Sequence, residues 1–413
     1  MIDGRLYSAD SEGAPGADSL RSSGGTGAGR TAEFRSPAVA LTVRVTSDIE
    51  ELRSLERKHN ALFASCAAPH IGTAFPYLVA DAATGSASDP WRLYTVYRNG
   101  ELAGCLYGRR REGTTMRIRT PVFQLGPHYV ADPLLQPVQQ ELILRRLIEA
   151  LQEDQRDCAM FVFPRLSTSS FELLEHCAGE SGLPWQWRWA RYAYRFDTNL
   201  APDEFLAGLD GEQRRELTRR ERRLAQDHGC EYVREEGLGA EADMDRFETF
   251  MALEDSGWKG QNESSIRRRP GYEPYFRELV ASASRGGLLI WYTLRSADRP
   301  IAMYLALRSH DTVWLPKIGY DENFASYGPG KLLTHHVMTD CLADPAIRHI
   351  DNISAAAWVE LWKPVQSPFR SLTLFGRSSR SRLLHGGLAA RDFARRLIGR
   401  QDNAPGPGDH PFL

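Results

Sequence analysis

The chain lacks long apolar runs: stretches such as Gly287-Leu288-Leu289-Ile290-Trp291 are among the longest, far short of the roughly 20 residues a membrane helix needs. It is therefore not expected to span a bilayer. Charge of neither sign dominates, with 51 Lys+Arg against 53 Asp+Glu and a formal net charge of −2, so no global field points to nucleic acid or to an anionic membrane. The six cysteines (Cys66, Cys105, Cys158, Cys177, Cys230, Cys341) form no C-x-x-C pair and show no regular spacing, which suggests neither a disulfide framework nor a zinc site. Cys105 and Cys158 sit among strand-like residues and read as buried small hydrophobes. There is no Gly-x-Ser-x-Gly nucleophile motif and no His-Glu-x-x-His. His335 and His336 are adjacent, about 100° apart on a helix, so they make no ligand pair and no metal is expected. Residues 1–35 are rich in Gly, Ser and Ala without the apolar core of a secretion signal, so residues 1–40 read as a disordered leader and the expected location is the cytoplasm.

What is present is a soluble globular composition, 42% hydrophobic and 25% charged over 413 residues, long enough for about two domains. Leu41–Val45 reads as a strand, and Asp48 can cap a helix running to about Ser65. Two strand-like runs flank Arg98-Asn99-Gly100, a hairpin signal, and Met116–Phe123 supplies another strand. Pro137–Glu153 reads as a helix, with Val138, Leu142, Leu144, Leu147, Ile148 and Leu151 largely on one side, followed by a strand at Cys158–Phe163 and a helix at Ser170–Ala178. A similar order returns: helices near Pro202–Asp227 and Glu241–Asp255, strands at Leu288–Leu294, Ile301–Leu307 and Thr312–Ile318, a helix at Gly330–Ala343, and a strand at Ile347–Ile353. The run Leu93–Gly100 matches Trp291–Asp298, both aromatic-rich strands entering a polar turn after an arginine. The expected fold is α/β (α+β) with two tandem domains related by duplication, each a mixed central sheet flanked by helices. The expected boundaries are 41–197 and 198–385, then a C-terminal helix and tail over 386–413.

The most informative stretch is Lys317-Ile318-Gly319-Tyr320-Asp321-Glu322-Asn323-Phe324-Ala325-Ser326-Tyr327-Gly328-Pro329-Gly330-Lys331-Leu332-Leu333. It reads as a strand, a glycine turn and a helix N-terminus, where unpaired N–H groups meet the positive end of the helix dipole and glycines admit a ligand's phosphates. At the corresponding place in the first copy, Phe123–Pro133 forms a longer loop with two prolines, which remove backbone donors. The first domain therefore reads as a degenerate scaffold. Between the copies, Arg214, Arg215, Arg219, Arg220, Arg222 and Arg223 fall on one helix with Glu212, Glu216 and Glu221 spaced to pair with them; the run is either a solvated face or a basic surface gripping an anion.

The stretch from Lys317 to Leu333 resembles the acyl-CoA site of the GNAT acyltransferases, and in wording the CelD/BcsL-like branch. Leu253-Glu254-Asp255-Ser256-Gly257-Trp258-Lys259-Gly260, about sixty residues upstream, is similar to the Glu and Gly-Trp-Lys-Gly of that branch. One departure is Ala325, where the usual loop has Gln or Arg. The resemblance, over about residues 41–380, implies an acyl-CoA-dependent N-acyltransferase, with acetyl-CoA or another acyl-CoA as co-substrate and a small-molecule or saccharide amine as acceptor. The branch is associated with bacterial exopolysaccharide production. The tandem arrangement is also similar to FemAB-like transferases, which implies the alternative of an aminoacyl-tRNA donor; apart from that tRNA, no nucleic-acid partner is expected. A third reading is a non-catalytic assembly protein with decayed sites.

Direct transfer needs a positioned thioester, an uncharged amine and a stabilised oxyanion. Ile318, Gly319, Tyr327, Gly328, Gly330, Lys331 and Leu332 are the expected donor-binding residues, with a backbone N–H near Ile318 or Gly319 polarising the carbonyl as the resemblance implies. Candidate bases are Asp351, a carboxylate in an apolar strand, Glu254, and Asp321 and Glu322 just after the strand, which could equally cap the turn, while Tyr327 is a candidate proton donor to the thiolate. A salt bridge from Asp351 to Lys317 or Lys363 is the structural alternative. Trp258, Lys259, Lys317, Asp321 and Trp362 are the expected acceptor-side residues.

Overall fold

The computed structural model describes residues 41–397 apart from 87, 117 and 128. They form two compact units: 41–66, 85–188 and 371–397 in the first, 67–84 and 189–370 in the second. The expected leader lies outside the described residues, as do residues 398–413 of the expected tail.

In the first unit β1 (Leu41–Thr46) leads to Asp48, whose side chain accepts the N–H groups of Glu50 and Glu51 and starts α1 (Ile49–Ser54). The single helix expected to Ser65 is broken at Leu55, whose N–H turns back to Leu52 and Arg53; α2 (Glu56–Ser65) follows. The next helix, α3 (Phe75–Thr84), belongs to the second unit. β2 (Trp91–Arg98) and β3 (Glu101–Thr115) form the expected hairpin, with Asn99 at φ 52° and Gly100 at φ 85° as a tight two-residue turn requires. Then come β4 (Ile118–Leu125), β5 (Leu134–Leu135), α4 (Gln140–Asp154), β6 (Met160–Leu166) and α5 (Thr168–Glu180). The buried stripe of α4 is Ile143, Leu144, Leu147, Ile148 and Leu151, whereas Val138 and Leu142 are exposed. It packs in one core with Tyr94, Val96, Phe123 and Phe161 of the sheet. The strand order is β1-β2-β3-β4-β6, antiparallel up to β4 and parallel between β4 and β6, as a helical crossover dictates.

The chain passes between units within β7 (Trp185–Asp197) and again within β13 (Val365–Phe375). The second unit holds α6 (Pro202–Gly208), α7 (Gly211–His228), β8 (Glu231–Glu236), α8 (Ala240–Ser256), α9 (Trp258–Gln261), α10 (Tyr272–Arg285), β9 (Leu289–Ser296), β10 (Arg299–Ser309), β11 (Thr312–Tyr320), α11 (Pro329–Ala343) and β12 (His349–Asp351). After β13, α12 (Ser379–Leu397) returns to the first unit. Strand order in the second unit is β8-β9-β10-β11-β12-β7, again antiparallel until a parallel pair, β11 with β12, spanned by a helix. β9 thus occupies the place that β2 has in the first unit, in line with the expected duplication. The class is mixed α/β.

Three helices of the second unit, α3, α10 and the short α9, had not been expected. α10 carries its buried residues at Tyr275, Phe276, Leu279, Val280 and Ala283, a helical spacing present in the sequence. Helix α3 packs along it. Among the described residues no helix is long and apolar enough to cross a membrane.

Candidate functional site

Parallel pairing of β11 with β12 lasts three residues, Thr312 with His349, Val313 with Ile350 and Trp314 with Asp351. There β12 ends, although the sequence pattern suggested a strand to Ile353, while β11 runs on to Tyr320. Among the described residues the edge of β11 after Trp314 therefore has no strand neighbour on that side, and Asp351 is the last paired residue of β12. Pro316 also lacks an N–H, so this segment is poorly suited to continue the ladder.

Asp351 is 4% exposed. Burial pushes its carboxyl up to about 6, against the opposing pull of the Ile353 N–H and the Arg195 charge. The Ile353 N–H donates to Oδ1 at 2.6 Å. Arg195 of β7 is its antiparallel register partner. Neither lysine weighed as a salt-bridge partner is used: Lys317 pairs with Glu254, and the Lys363 ammonium donates to the Gly208 carbonyl at 2.7 Å.

Glu254 has a different environment. Helix α8 buries Asp243, Phe247, Phe250, Met251 and Glu254, and the spacing of eleven positions from one buried acid to the other is about three helical turns, so both lie on one stripe. Asp243 is satisfied by Trp291 Nε1 at 2.9 Å and Ser284 Oγ at 2.6 Å, anchoring the start of the helix. Glu254 accepts Lys259 Nζ at 3.0 Å and the Ile266 N–H at 2.9 Å, with Lys317 Nζ 3.6 Å away. Burial raises its pKa, but Lys317, Lys259 and the backbone donor outweigh that and hold it below the ordinary carboxylate value. A carboxylate so held is a poor proton acceptor near neutrality. Lys317 is pulled down to about 8 by burial, with Glu254 opposing, and its ammonium lies 5.3 Å from the Phe276 ring and 5.7 Å from that of Tyr272. Lys259 Nζ also donates to the Ile318 carbonyl at 2.6 Å. Gly319 lets β11 approach α8: a Cβ there would sit 3.2 Å from Glu254 backbone atoms.

The junction after β11 is tighter than an open cradle. Asp321, 2% exposed, accepts the Asn323 N–H at 3.0 Å and is ion-paired with Arg299, so its carboxylate caps a 3-10 turn over Glu322–Tyr327. Gly328 has φ 64°, a left-handed position that favours glycine. Pro329 has no N–H, and the Lys331 and Leu332 N–H groups both return to the Gly328 carbonyl at 3.0 and 3.1 Å. Among the described residues this leaves the Gly330 N–H as the first-turn donor for a ligand. A Cβ at Gly330 would meet only ordinary contacts with Tyr320 and Ile318, whereas one at Gly328 would fall 2.5 Å from an Arg220 guanidinium nitrogen. Arg220, ion-paired with Glu216, thus brings from α7 the cation that the loop itself lacks at Ala325. The Tyr327 hydroxyl donates to Asp227 at 2.9 Å, the interaction that chiefly raises its pKa, and lies 3.1 Å from His228 Nε2.

Trp362 is not at a cleft. It is 1% exposed, stacked between Phe205 and His335 with ring centroids 6.4 and 6.2 Å away, and belongs to the core of this unit. Trp258 opens α9, but its side chain lies outside the described residues. Along α7, Arg220 pairs with Glu216, Arg223 with Asp227, and Glu221 with His336. Among the described residues no carboxylate pairs with Arg214, Arg215, Arg219 or Arg222, and with Thr218, Arg223 and Gln226 these line a surface groove of about 430 Å³.

Arg195 and the Ile353 N–H were not singled out by sequence reasoning. Arg220 was named there only as one member of the arginine run, with nothing to place it beside Gly328.

Residues 211–357 match the family described as Acetyltransferase (GNAT) domain. No curated protein matches the chain in sequence. Among solved structures, one described as FemX is 10% identical, covering 76% of this chain and 95% of its own with a TM-score of 0.52. A conserved protein of unknown function from Bacteroides thetaiotaomicron VPI-5482 is 11% identical, covering 78% and 97% with a TM-score of 0.50. At such identities the likeness is one of fold.

Proposed function

We propose that the second unit transfers an acyl group from an acyl-CoA, acetyl-CoA first among them, directly to an amine. The carrying observation is the end of the β11–β12 pairing at buried Asp351, on a segment that matches a GNAT acetyltransferase domain. In this reading the donor's diphosphate meets the Gly330 N–H, with Arg220 and Lys331 supplying positive charge at the start of α11. The thioester lies along the unpaired edge of β11. Asp351 takes the proton of the attacking amine; with a pKa of about 6 it is ionised at pH 7 yet basic enough to accept it. The tetrahedral intermediate collapses with cleavage of the C–S bond, and the thiolate takes a proton from Tyr327, whose raised pKa keeps it protonated. No covalent enzyme intermediate forms.

The test is amine-dependent release of CoA thiol by the purified chain, together with calorimetric titration of acetyl-CoA. Binding and release are expected in the wild type, and release falls sharply in Asp351→Asn. Neither binding nor release with any of a broad panel of amines overturns the reading.

A second reading, an aminoacyl-tRNA donor, is favoured by one observation: the exposed arginines on α7 without carboxylate partners. Here the acyl group comes from the 3′ end of RNA. Aminoacyl transfer that acetyl-CoA does not inhibit separates the two.

A further inference from the structure

Helix α7 turns a face of positive charge to solvent. Arg214, Thr218, Arg222 and Gln226 follow one another at four-residue spacing, Arg215, Arg219 and Arg223 make the neighbouring row, and all seven are exposed. Together they line the groove of about 430 Å³. The acids of the helix that could neutralise this face are engaged elsewhere: Glu216 pairs with Arg220, and Glu221 with His336 of α11. Arg219 adds only a longer-range pull on Glu216. Among the described residues, the one carboxylate within ion-pair distance of a lining arginine is Asp227, 3.5 Å from Arg223. Leu217 and Leu224 hold the opposite face in the core, so the arginines are not what fastens the helix. The groove also adjoins the loop after β11. Arg223 lines it and lies 4.8 Å from the centroid of the Tyr327 ring, and from there the charged face runs nine residues back to Arg214, about 13 Å along the helix. That is longer than a diphosphate, while the loop itself offers a donor the Gly330 N–H and, at Ala325, no side-chain cation.

We infer that this face of α7 docks an acidic protein that carries the acyl group as a thioester on a flexible pantetheine-type arm. This rests on the acyl-transfer reading above and adds a macromolecular donor to it. The chemistry is the same: the amine nitrogen bonds to the carbonyl carbon, its proton passes to Asp351, the C–S bond breaks, and the protonated thiol stays on the carrier's arm instead of leaving as CoA. Arginine, with no lysine in either row, favours bidentate pairing with carboxylates and is the cation enriched at protein interfaces. A contact the size of one helix face suits a partner that must leave after each turnover. Two other anionic partners fit less well. A helix lying on a membrane inserts apolar side chains, whereas the leucines at 217 and 224 are buried and no large apolar residue of α7 is exposed. An RNA is drawn by a broad basic field, absent at a net charge of −2, and the groove has no aromatic side chain on which bases could stack.

The probe is an acidic acyl carrier protein, used without its arm for binding and as the acetyl thioester for transfer. The full chain should bind the arm-free form in calorimetry, with affinity falling roughly 10-fold or more between low and high salt. Arg214→Ala, Arg215→Ala and Arg222→Ala together should abolish that binding, and Arg214→Lys, Arg215→Lys and Arg222→Lys, which keep the charge, should retain part of it. In transfer to a common amine, the acetylated carrier should exceed acetyl-CoA in kcat/KM by roughly 10-fold or more. The alanine triple variant should lose this advantage through a rise in KM for the carrier. Equal use of the two donors, insensitive to salt and to the triple variant, overturns the inference while leaving acyl transfer intact, and so does absence of binding to the arm-free carrier. If the triple variant instead loses affinity for tRNA, or for phosphatidylglycerol vesicles, and the carrier does not bind, the groove belongs to RNA or to a membrane and the inference falls. No transfer from either donor, with no CoA binding, rejects the underlying activity and with it the carrier's role.

Discussion

Ile353 folds its backbone back onto Asp351: its N–H reaches Oδ1 at 2.6 Å from a left-handed conformation, φ 57°. A β-branched residue rarely accepts such a conformation, and strain of this kind gathers where a neighbouring group must be held in place. The turn also follows the end of β12, where its pairing with β11 stops at Trp314.

Replacing Asp351 by Asn keeps the shape and an acceptor for the Ile353 N–H but removes the base. Turnover is expected to fall by about 10²- to 10⁴-fold with acetyl-CoA affinity unchanged. In the wild type, kcat/KM should lose activity below about pH 6, a limb absent from the residual activity of the variant. Retained turnover excludes Asp351 as the base.

The same group makes a signed statement about stability. Its folded pKa is about 6, above the ordinary 3.8, so its contribution is fully present below pH 3.8 and lost as pH rises through 6. The shift corresponds to about 3 kcal/mol. Asp351→Asn removes this dependence, so chemical denaturation at pH 8 should show the variant more stable than wild type, by up to that amount. A variant less stable at pH 8 would mean that the ionised carboxylate is a structural partner.

Glu254→Gln leaves two largely buried ammonium groups above a neutral floor. A loss of about 3–5 kcal/mol is expected, the usual result of removing one partner of a buried ion pair, measured as a lower denaturation midpoint at pH 7. Because the folded pKa of Glu254 is depressed, its contribution is present above the unfolded value and lost as pH falls through the folded one. The wild-type advantage should therefore shrink in acid. A normal midpoint with abolished turnover would instead make Glu254 the base.

The three glycines at the two loops should behave differently. Gly330→Val meets only ordinary contacts at its Cβ, so the fold survives while CoA affinity falls in calorimetry. Gly328→Val adds strain at φ 64° and displaces Arg220, lowering stability as well. Gly126→Val should not reach the acyl-CoA site, yet its Cβ would fall 2.2 Å from the Val130 carbonyl at φ 83°. The expected result is a destabilised first unit, which thermal unfolding would report.

Arg214→Ala, Arg215→Ala and Arg222→Ala together touch no ion pair, so thermal stability should change by no more than about 0.5 kcal/mol per substitution. If the donor is an aminoacyl-tRNA, affinity for RNA falls and its salt dependence flattens. If it is acyl-CoA, kcat/KM is unchanged.

The repeated order of strands and helices was legible in the amino-acid sequence, because the aromatic-rich, strand-forming runs along Leu93–Gly100 and Trp291–Leu294 and the Asn99-Gly100 turn are local signals. So were the glycine junction after β11, Asp351 as a carboxylate in an apolar strand, and the arginine run, whereas the burial of Glu254 was not. The sequence alone could not separate the roles of the two acids. Each is a carboxylate among apolar neighbours; two lysines from other segments, Lys259 and Lys317, converge on Glu254 and lower its pKa, while Asp351 meets one backbone N–H and a more distant arginine and is raised. Tertiary packing likewise decided that Trp362 is core, that Asp321 caps a turn, that Arg220 serves the start of α11, and that α3 joins the second unit. These assignments depend on contacts between residues far apart in the chain, and local periodicity carries no information about which distant charges will meet.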